Sequence, residues 1–309
     1  MREAPAAHSP ALHTSPMTVQ ITRIGTTRDQ LGESPCWDAD AQALNWIDAL
    51  GGALWRLQAG AGQAERHELP APVGSIAPCR GAAVVVALRN SFARYDFATR
   101  TLEPLARIPV DHPKVRFNDG KCDAAGHFLA GTMHVDRRPG EAVIGGLYRL
   151  RTDRRVEQLA DDIGFANGPC FSPDGRVLYL ADSLERTIWA WDYDPDGPLR
   201  HKRMFARTYE FDSGPDGATV DAEGFVWTVL TRAAKLARLA PDGRLERLID
   251  LPASYPTSIC FGGPHLDCIY LTSIFRSARL EGNKAHDGGL FRIEGLPAPG
   301  RLPDRFGGC

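Results

Sequence analysis

Apolar positions along this chain fall in short runs rather than in helical stripes. The clearest are ALNWID, AVVVAL, HFLAG, VLYLAD, FVWTVL and CIYLTS, which begin at residues 43, 83, 127, 177, 225 and 268. Short runs rich in β-branched, Leu and aromatic residues are strand signals, and no apolar pattern of helical period and length competes with them. Their starts step by 40, 44, 50, 48 and 43 residues, the period that marks propeller blades. A second strand follows each one: ALWRL at 53, FARYDF at 92, GLYRL at 146, TIWAWDY at 187, KLARLA at 235 and GLFRI at 289. The turn clusters DAD, DAAG, SPDG and DAEG introduce four of the first set, as hairpin chemistry requires. The pattern therefore predicts an all-β protein, a six-bladed β-propeller, in which radial repetition removes long exposed sheet edges. A pair of β-sandwiches would leave the regular spacing without a cause. Three strands are readable in the sixth unit, whereas TVQITRIG at 18–25 has no local partner. The N-terminal strand is expected to complete the last blade and close the ring.

Composition narrows the partners. With 43% hydrophobic residues in 309, the chain can bury a large core. Residues 17–309 are expected to form one propeller domain. Residues 1–16, MREAPAAHSPALHTSP, lack the apolar run of a signal peptide and read as a disordered tail, with Met17 an alternative start to Met1. The 36 basic and 38 acidic residues leave a formal charge of -2 with no Lys/Arg block. That excludes the electrostatic footprint of nucleic-acid and membrane-surface binders, and no segment approaches the length of a membrane span. A cytoplasmic monomer or weak homo-oligomer acting on a small molecule is expected. The seven cysteines include no C-x-x-C pair and are expected to be reduced thiols. Cys36, Cys79, Cys122, Cys170 and Cys260 recur before β-type runs, as small buried side chains at equivalent repeat positions would.

In a propeller, the innermost strand of each blade lines a central channel. The residues that start these strands share one mouth: Glu33-Ser34, Gly74-Ser75, Asn118-Asp119, Asn167-Gly168, Asp216-Gly217 and Thr257-Ser258. NDG, NG and PDG are also common turn tokens. Glu33, in LGESPCW, has no turn role and would be costly to bury unpaired. Carboxylates and carboxamides facing one another at one mouth are reconciled by a cation between them. Oxygen donors without Cys or obligatory His favour a hard divalent ion. His134 is the one histidine near this mouth, and reads as a polar loop residue. Arg116, in VRFNDGKC, is needed neither by a turn nor by a metal.

The segments GESPCWD, RFNDGKCDAAGHFLAGTM, NGPCFSPDGRVLYLADS, GPDGATVDAEGFVW and PTSICFGG resemble the senescence marker protein/regucalcin/gluconolactonase family of six-bladed propellers. The likeness spans about residues 22 to 305. It implies a divalent-metal-dependent lactonase that opens a sugar lactone to the sugar acid. It places the metal ligands at Glu33, Asn167 and Asp216 and the substrate contacts at Arg116 and Asn118. Asp136 stands where well-known members carry a substrate-binding glutamate in the loop after AGTM, one methylene shorter, and is followed by the cationic pair Arg137 and Arg138. One divalent cation is implied, Ca²⁺ first, with Mg²⁺, Mn²⁺, Zn²⁺ and Fe²⁺ open. Asp216 is the expected proton acceptor. A phosphotriesterase or aryl-esterase on the same metal, or a non-catalytic Ca²⁺-binding propeller, are the alternatives.

Overall fold

The computed structural model describes residues 18–138, 140–277 and 279–309, so the proposed N-terminal tail lies outside the described residues. Among the described residues, twenty-four strands form six four-stranded antiparallel sheets. The architecture is a six-bladed β-propeller.

The chain enters on β1 (Gln20–Ile24) and then builds five blades in succession. Blade 1 holds β2 (Gly32–Asp38), β3 (Ala43–Asp48), β4 (Ala53–Gln58) and β5 (Glu65–Glu68). Blade 2 holds β6 (Ser75–Pro78), β7 (Ala83–Ala87), β8 (Ser91–Asp96) and β9 (Thr101–Arg107). Blade 3 holds β10 (Val115–Cys122), β11 (Phe128–His134), β12 (Leu147–Leu150) and β13 (Val156–Ala160). Blade 4 holds β14 (Ala166–Phe171), β15 (Val177–Asp182), β16 (Thr187–Asp192) and β17 (Arg200–Arg207). Blade 5 holds β18 (Pro215–Val220), β19 (Val226–Leu230), β20 (Lys235–Leu239) and β21 (Leu245–Asp250). Blade 6 takes β22 (Pro256–Gly262), β23 (Cys268–Ser273) and β24 (Leu290–Glu294) from the end of the chain, and β1 as its outer strand. The ladder from Gln20↔Glu294 to Ile24↔Leu290 closes the ring, as the unpaired N-terminal strand predicts. No helix among the described residues is long and apolar enough to cross a membrane.

The core lies between blades. Middle strands carry Val84–Val86, Leu178–Leu180 and Cys268–Leu271, residues apolar on successive positions because both sheet faces are covered by neighbouring blades. Aromatic residues fill the gaps between blades: Phe92 packs tilted against Phe117 at 4.5 Å, and Trp227 sits edge-on to Phe261 at 6.4 Å. Each fully buried side chain of this size contributes about 1.5–3 kcal/mol.

The innermost strands depart from regular pairing, and that departure builds the channel mouth. Register shifts fall between Glu33 and Cys36, Phe117 and Gly120, Asn167 and Cys170, Pro215 and Ala218, and Pro256 and Ile259. Five blades thus carry a bulge at one level, which re-aims the side chains there. The NDG, NG and PDG tokens sit inside β10, β14 and β18, so they are not turns. Their glycines allow adjacent inner strands to approach. Gly168 has φ +53°, and a Cβ there would meet Asp216 O at 2.6 Å.

The cysteine expectation needs one correction. Cys36, Cys122, Cys170, Cys260 and Cys268 are free and buried, but Cys79 pairs with Cys309 in a disulfide, Cα to Cα 6.0 Å. The cause is the C-terminal segment, which returns across the blades. Ala222 N–H donates to Pro299 O, Gly300 N–H to Leu266 O, and Phe306 N–H to Pro78 O. Arg305 reaches Asp38 at 2.7 Å, and Phe306 is completely buried in the core between blades 2 and 3.

Candidate active site

The bulges bring polar side chains from four blades to one place. Glu33 comes from blade 1, Arg116, Asn118 and Asp119 from blade 3, Asn167 from blade 4 and Asp216 from blade 5. Asn167 and Asp119 are buried, while Glu33, Arg116, Asn118 and Asp216 keep a partly exposed edge at the mouth.

Hydrogen bonds link them in series. Arg116 Nη1 donates to Asn118 Oδ1 at 3.1 Å and to Phe117 O at 2.8 Å. Asn118 Nδ2 donates to Asn167 Oδ1 at 2.5 Å and Ala166 O at 3.0 Å. Asn167 Nδ2 donates to Ser183 Oγ at 2.8 Å, and Ser183 in turn donates to Pro215 O at 2.6 Å, beside Asp216. Thr231 Oγ1 donates to Asp216 Oδ2 at 2.8 Å. Asp119 accepts Gly168 N–H at 2.9 Å and Gly120 N–H at 2.8 Å, a carboxylate spent on fixing the bulges of blades 3 and 4.

Electrostatics shows what the cluster lacks. Burial lifts Glu33 well above the usual carboxylate range, and the nearby Asp216 and Asp119 charges add to the rise. Asp216 is pushed up to about 7, again mainly by burial, against the Thr231 hydrogen bond. Asp119 is also raised by burial. Arg116 is lowered to about 10 by burial, with Glu33 holding it up. Three desolvated carboxyls face the Arg116 guanidinium and, beside Asp119, the Lys121 ammonium, which leaves the site short of positive charge. Among the described residues no three Asp, Glu, His or Cys side chains group closely enough to hold a metal. A cation would therefore draw on carboxamide oxygen as well as carboxylate, and Glu33, Asn167 and Asp216 supply that donor set. Oxygen chemistry of this kind fits Ca²⁺ or Mg²⁺ better than a thiolate-seeking ion.

The remaining sequence candidates lie apart from this cluster. Asp136, with φ 52°, is exposed and ion-paired with Arg279 at 3.9 Å; no hydrogen bond joins it to Arg116 or Asn118. Arg137 donates to Glu141 O at 2.5 Å, within its own loop, and Arg138 is exposed. His134 is buried with Nδ1 3.2 Å from Ala142 O, a loop anchor. Ser183 and Thr231 were not anticipated. Each follows the second strand of its blade, after VLYLAD and FVWTVL, where blades 1 and 3 place Ala49 and Val135. A hydroxyl confined to the two blades bearing Asn167 and Asp216 was the readable signal.

Fold and site together define a class: a six-bladed propeller with carboxyl and carboxamide oxygens and an adjacent arginine at one channel mouth. The chain matches the family model described as SMP-30/Gluconolactonase/LRE-like region over residues 31–275, and belongs to that family. It is 32% identical to regucalcin of Xenopus laevis and 31% identical to that of Homo sapiens, in each case over 94% of this chain and 99% of the relative. Among solved structures it is similar to a luciferin-regenerating enzyme, with TM-score 0.86, 25% identity and coverage of 93% of this chain and 99% of that one. It is also similar to the calcium-binding protein regucalcin of Agrobacterium tumefaciens, with TM-score 0.82, 26% identity and coverage of 92% and 96%. These likenesses support a lactonase-like propeller.

Proposed function

We propose that the protein is a divalent-cation-dependent lactonase that hydrolyses a sugar lactone to its open acid. One observation carries this reading: the carboxyls of Glu33, Asp119 and Asp216, the buried Asn167 carboxamide and the half-buried Arg116 meet at one channel mouth, where burial raises the proton affinity of all three carboxyls and the arginine is a group no metal requires. The calcium-binding Agrobacterium relative supports Ca²⁺ as the first ion to test.

Glu33, Asn167 and Asp216 would hold the cation, which would supply Lewis-acid polarisation of the lactone carbonyl. In the reaction a water oxygen bonds the carbonyl carbon, the ring C–O bond breaks, and the ring oxygen leaves as a hydroxyl. Asp216 accepts the proton that the water loses and returns it to the departing ring oxygen, a role for which its orientation by Thr231 suits it. Arg116 and Asn118 bind ring hydroxyls and the carbonyl by charge-assisted and neutral hydrogen bonds. Asp136 faces the mouth only if its loop is drawn in by substrate.

The test is a lactone panel assayed with Ca²⁺, Mg²⁺, Mn²⁺, Zn²⁺ and Fe²⁺ after exhaustive chelation. Activity lost on chelation and restored by one cation, with circular dichroism unchanged, is expected. Full activity in the chelated protein would falsify the cation requirement, and no turnover of any lactone beside turnover of a phosphotriester or aryl ester would replace the substrate class. Arg116→Ala is expected to lower kcat/KM about 100-fold, about 2.7 kcal/mol, with cation affinity within a few-fold of wild type.

A further inference from the structure

At the end of the channel opposite the mouth, each innermost strand turns back into the second strand of its blade, and residues 299–309 run across these hairpins. Every blade is touched. Arg305 reaches Asp38 of blade 1 at 2.7 Å, Phe306 N–H donates to Pro78 O of blade 2 at 2.8 Å, and Gly307 N–H donates to Gly126 O of blade 3 at 2.9 Å. Arg301 Nη1 donates to Ser172 O of blade 4 at 3.4 Å. Ala222 N–H of blade 5 donates to Pro299 O at 2.9 Å, and Gly300 N–H donates to Leu266 O of blade 6 at 2.7 Å.

Behind this segment lies a cavity of ≈ 30 Å³, room for about two waters. Pro303 and Asp304 close it, and Lys121, Cys36, Cys122 and Cys260 line its sides. Asp119, whose carboxylate fixes the bulges of the candidate active site, borders it too. The C-terminal segment is thus the floor of the channel under that site.

The two parts of the segment are held differently. Gly300 sits so close to blade 6 that a Cβ there would meet Phe261 Cβ at 2.2 Å. Beyond it Leu302 is 68% exposed, and Phe306 is the one large apolar side chain wholly buried. The last residue, Cys309, is exposed, and its disulfide to the fully buried Cys79 fastens the free end. A chain end with so few apolar contacts opens locally unless something ties it.

We propose that residues 301–309 are a redox-released strap, hinged at Gly300, which seals the channel floor while Cys79 and Cys309 are paired and lifts when they are reduced. The reductant is a dithiol. Its thiolate attacks the exposed Cys309 Sγ, and the S–S bond breaks with its electron pair passing to Cys79 Sγ. The second thiol then displaces Cys309, so that the reductant closes to its own disulfide and its two thiol protons end on the two cysteines. Phe306 leaves with the strap, and water enters the cavity.

The cavity thiols report the opening. Burial pushes Cys36 up to about 12 and holds Cys122 and Cys260 well above the usual thiol range, which makes them inert while sealed. Cys268, wholly buried between blades 6 and 1 and not lining the cavity, is the internal control. The full chain, oxidised or reduced with dithiothreitol and desalted, is labelled with N-ethylmaleimide under native conditions, and each cysteine is followed by peptide mass spectrometry. Reduction is expected to raise the labelling rate of the cavity thiols about tenfold or more and to leave that of Cys268 unchanged. Cys309→Ser, which cannot form the clasp, should label them at the reduced rate without any reductant. The proposal is overturned if the cavity thiols stay inert after reduction, or if Cys268 gains reactivity with them, which would mean that the whole ring loosens. It is equally overturned if Cys309→Ser behaves as the oxidised chain, or if Cys79 and Cys309 label before reduction. Should Cys309→Ser fail to fold, the reduced wild type decides. Lactone turnover is not a readout, so this proposal and the lactonase reading fail independently.

Discussion

Glu33 and Asp216 keep only a partly exposed edge at the channel mouth, and burial of the rest raises the proton affinity of both. Both are raised in the cation-free protein, Asp216 to about 7. A cation favours the ionised forms, so binding at pH 6 should release protons, and apparent affinity should weaken as pH falls from 8 to 6. Calorimetry in two buffers of different ionisation enthalpy measures this, and a pH-independent affinity without proton release would mean that these carboxyls are not ligands. Ser183 and Thr231 orient the amide and the carboxylate without reaching the mouth. Ser183→Ala and Thr231→Val should each cost roughly 10- to 100-fold in cation affinity, the range typical of groups that orient ligands. The candidates Glu33, Asn118, Asn167 and Asp216 could be located from sequence because each sits at one point of a repeat, and Arg116 because it stands two residues before that point where neither a turn nor a metal needs it. The hydroxyls behind them left only the signal of their position after the second strand of blades 4 and 5; their contacts were not legible, because the bond of Ser183 to Pro215 O joins neighbouring blades and no local pattern encodes it.

At the scale of single elements, the apolar runs match the middle strands to within a residue, except that β11 extends three residues past HFLAG. The bulges stayed hidden, since NDG and PDG carry the same letters in a turn as in a kinked strand. The C-terminal segment was the other hidden element. GLPAPGRLPDRFGGC has no strand periodicity, yet Phe306 is wholly buried and Cys309 reaches Cys79. Phe306→Ala should therefore destabilise by about 3–5 kcal/mol in chemical denaturation, whereas Leu302→Ala, at a side chain 68% exposed, should stay within about 0.5 kcal/mol. Equal effects would show that the segment does not dock. The same docking sets the thiol count: the native chain should resist a thiol reagent, and the unfolded, unreduced chain should titrate five thiols. Seven would mean that Cys79 and Cys309 are not paired.

For the molecule as a whole, stability depends on a ring closed where the two ends of the chain meet, and Asp29 sits at that closure. It follows β1, and its backbone N–H donates to Gly288 O at 2.8 Å, tying it to the β23–β24 loop. Its carboxylate accepts Trp46 Nε1–H at 2.9 Å and Trp55 Nε1–H at 2.8 Å, both in blade 1. Burial outweighs these two donors, and the neighbouring Asp48 adds to the effect, so Asp29 is raised from 3.8 to about 7. The folded protein then keeps a proton that the unfolded chain releases near pH 4. A group shifted upward stabilises the fold fully below its unfolded value, and that contribution drains away as pH climbs through the folded one. Between pH 4 and 7 the loss attributable to Asp29 is at most about 4 kcal/mol. Above pH 7 its contribution should be flat. Asp29→Asn cannot titrate and gives one indole an amide in place of an acceptor, so the variant should be the less stable form at pH 4.5. The gap should narrow as pH rises toward 7.5. Chemical denaturation of both proteins at several pH values reads the difference directly, with the channel-mouth carboxyls cancelling because both chains carry them. A gap that stays constant with pH would show that Asp29 is ionised throughout and that the seam is held by its two indole hydrogen bonds alone.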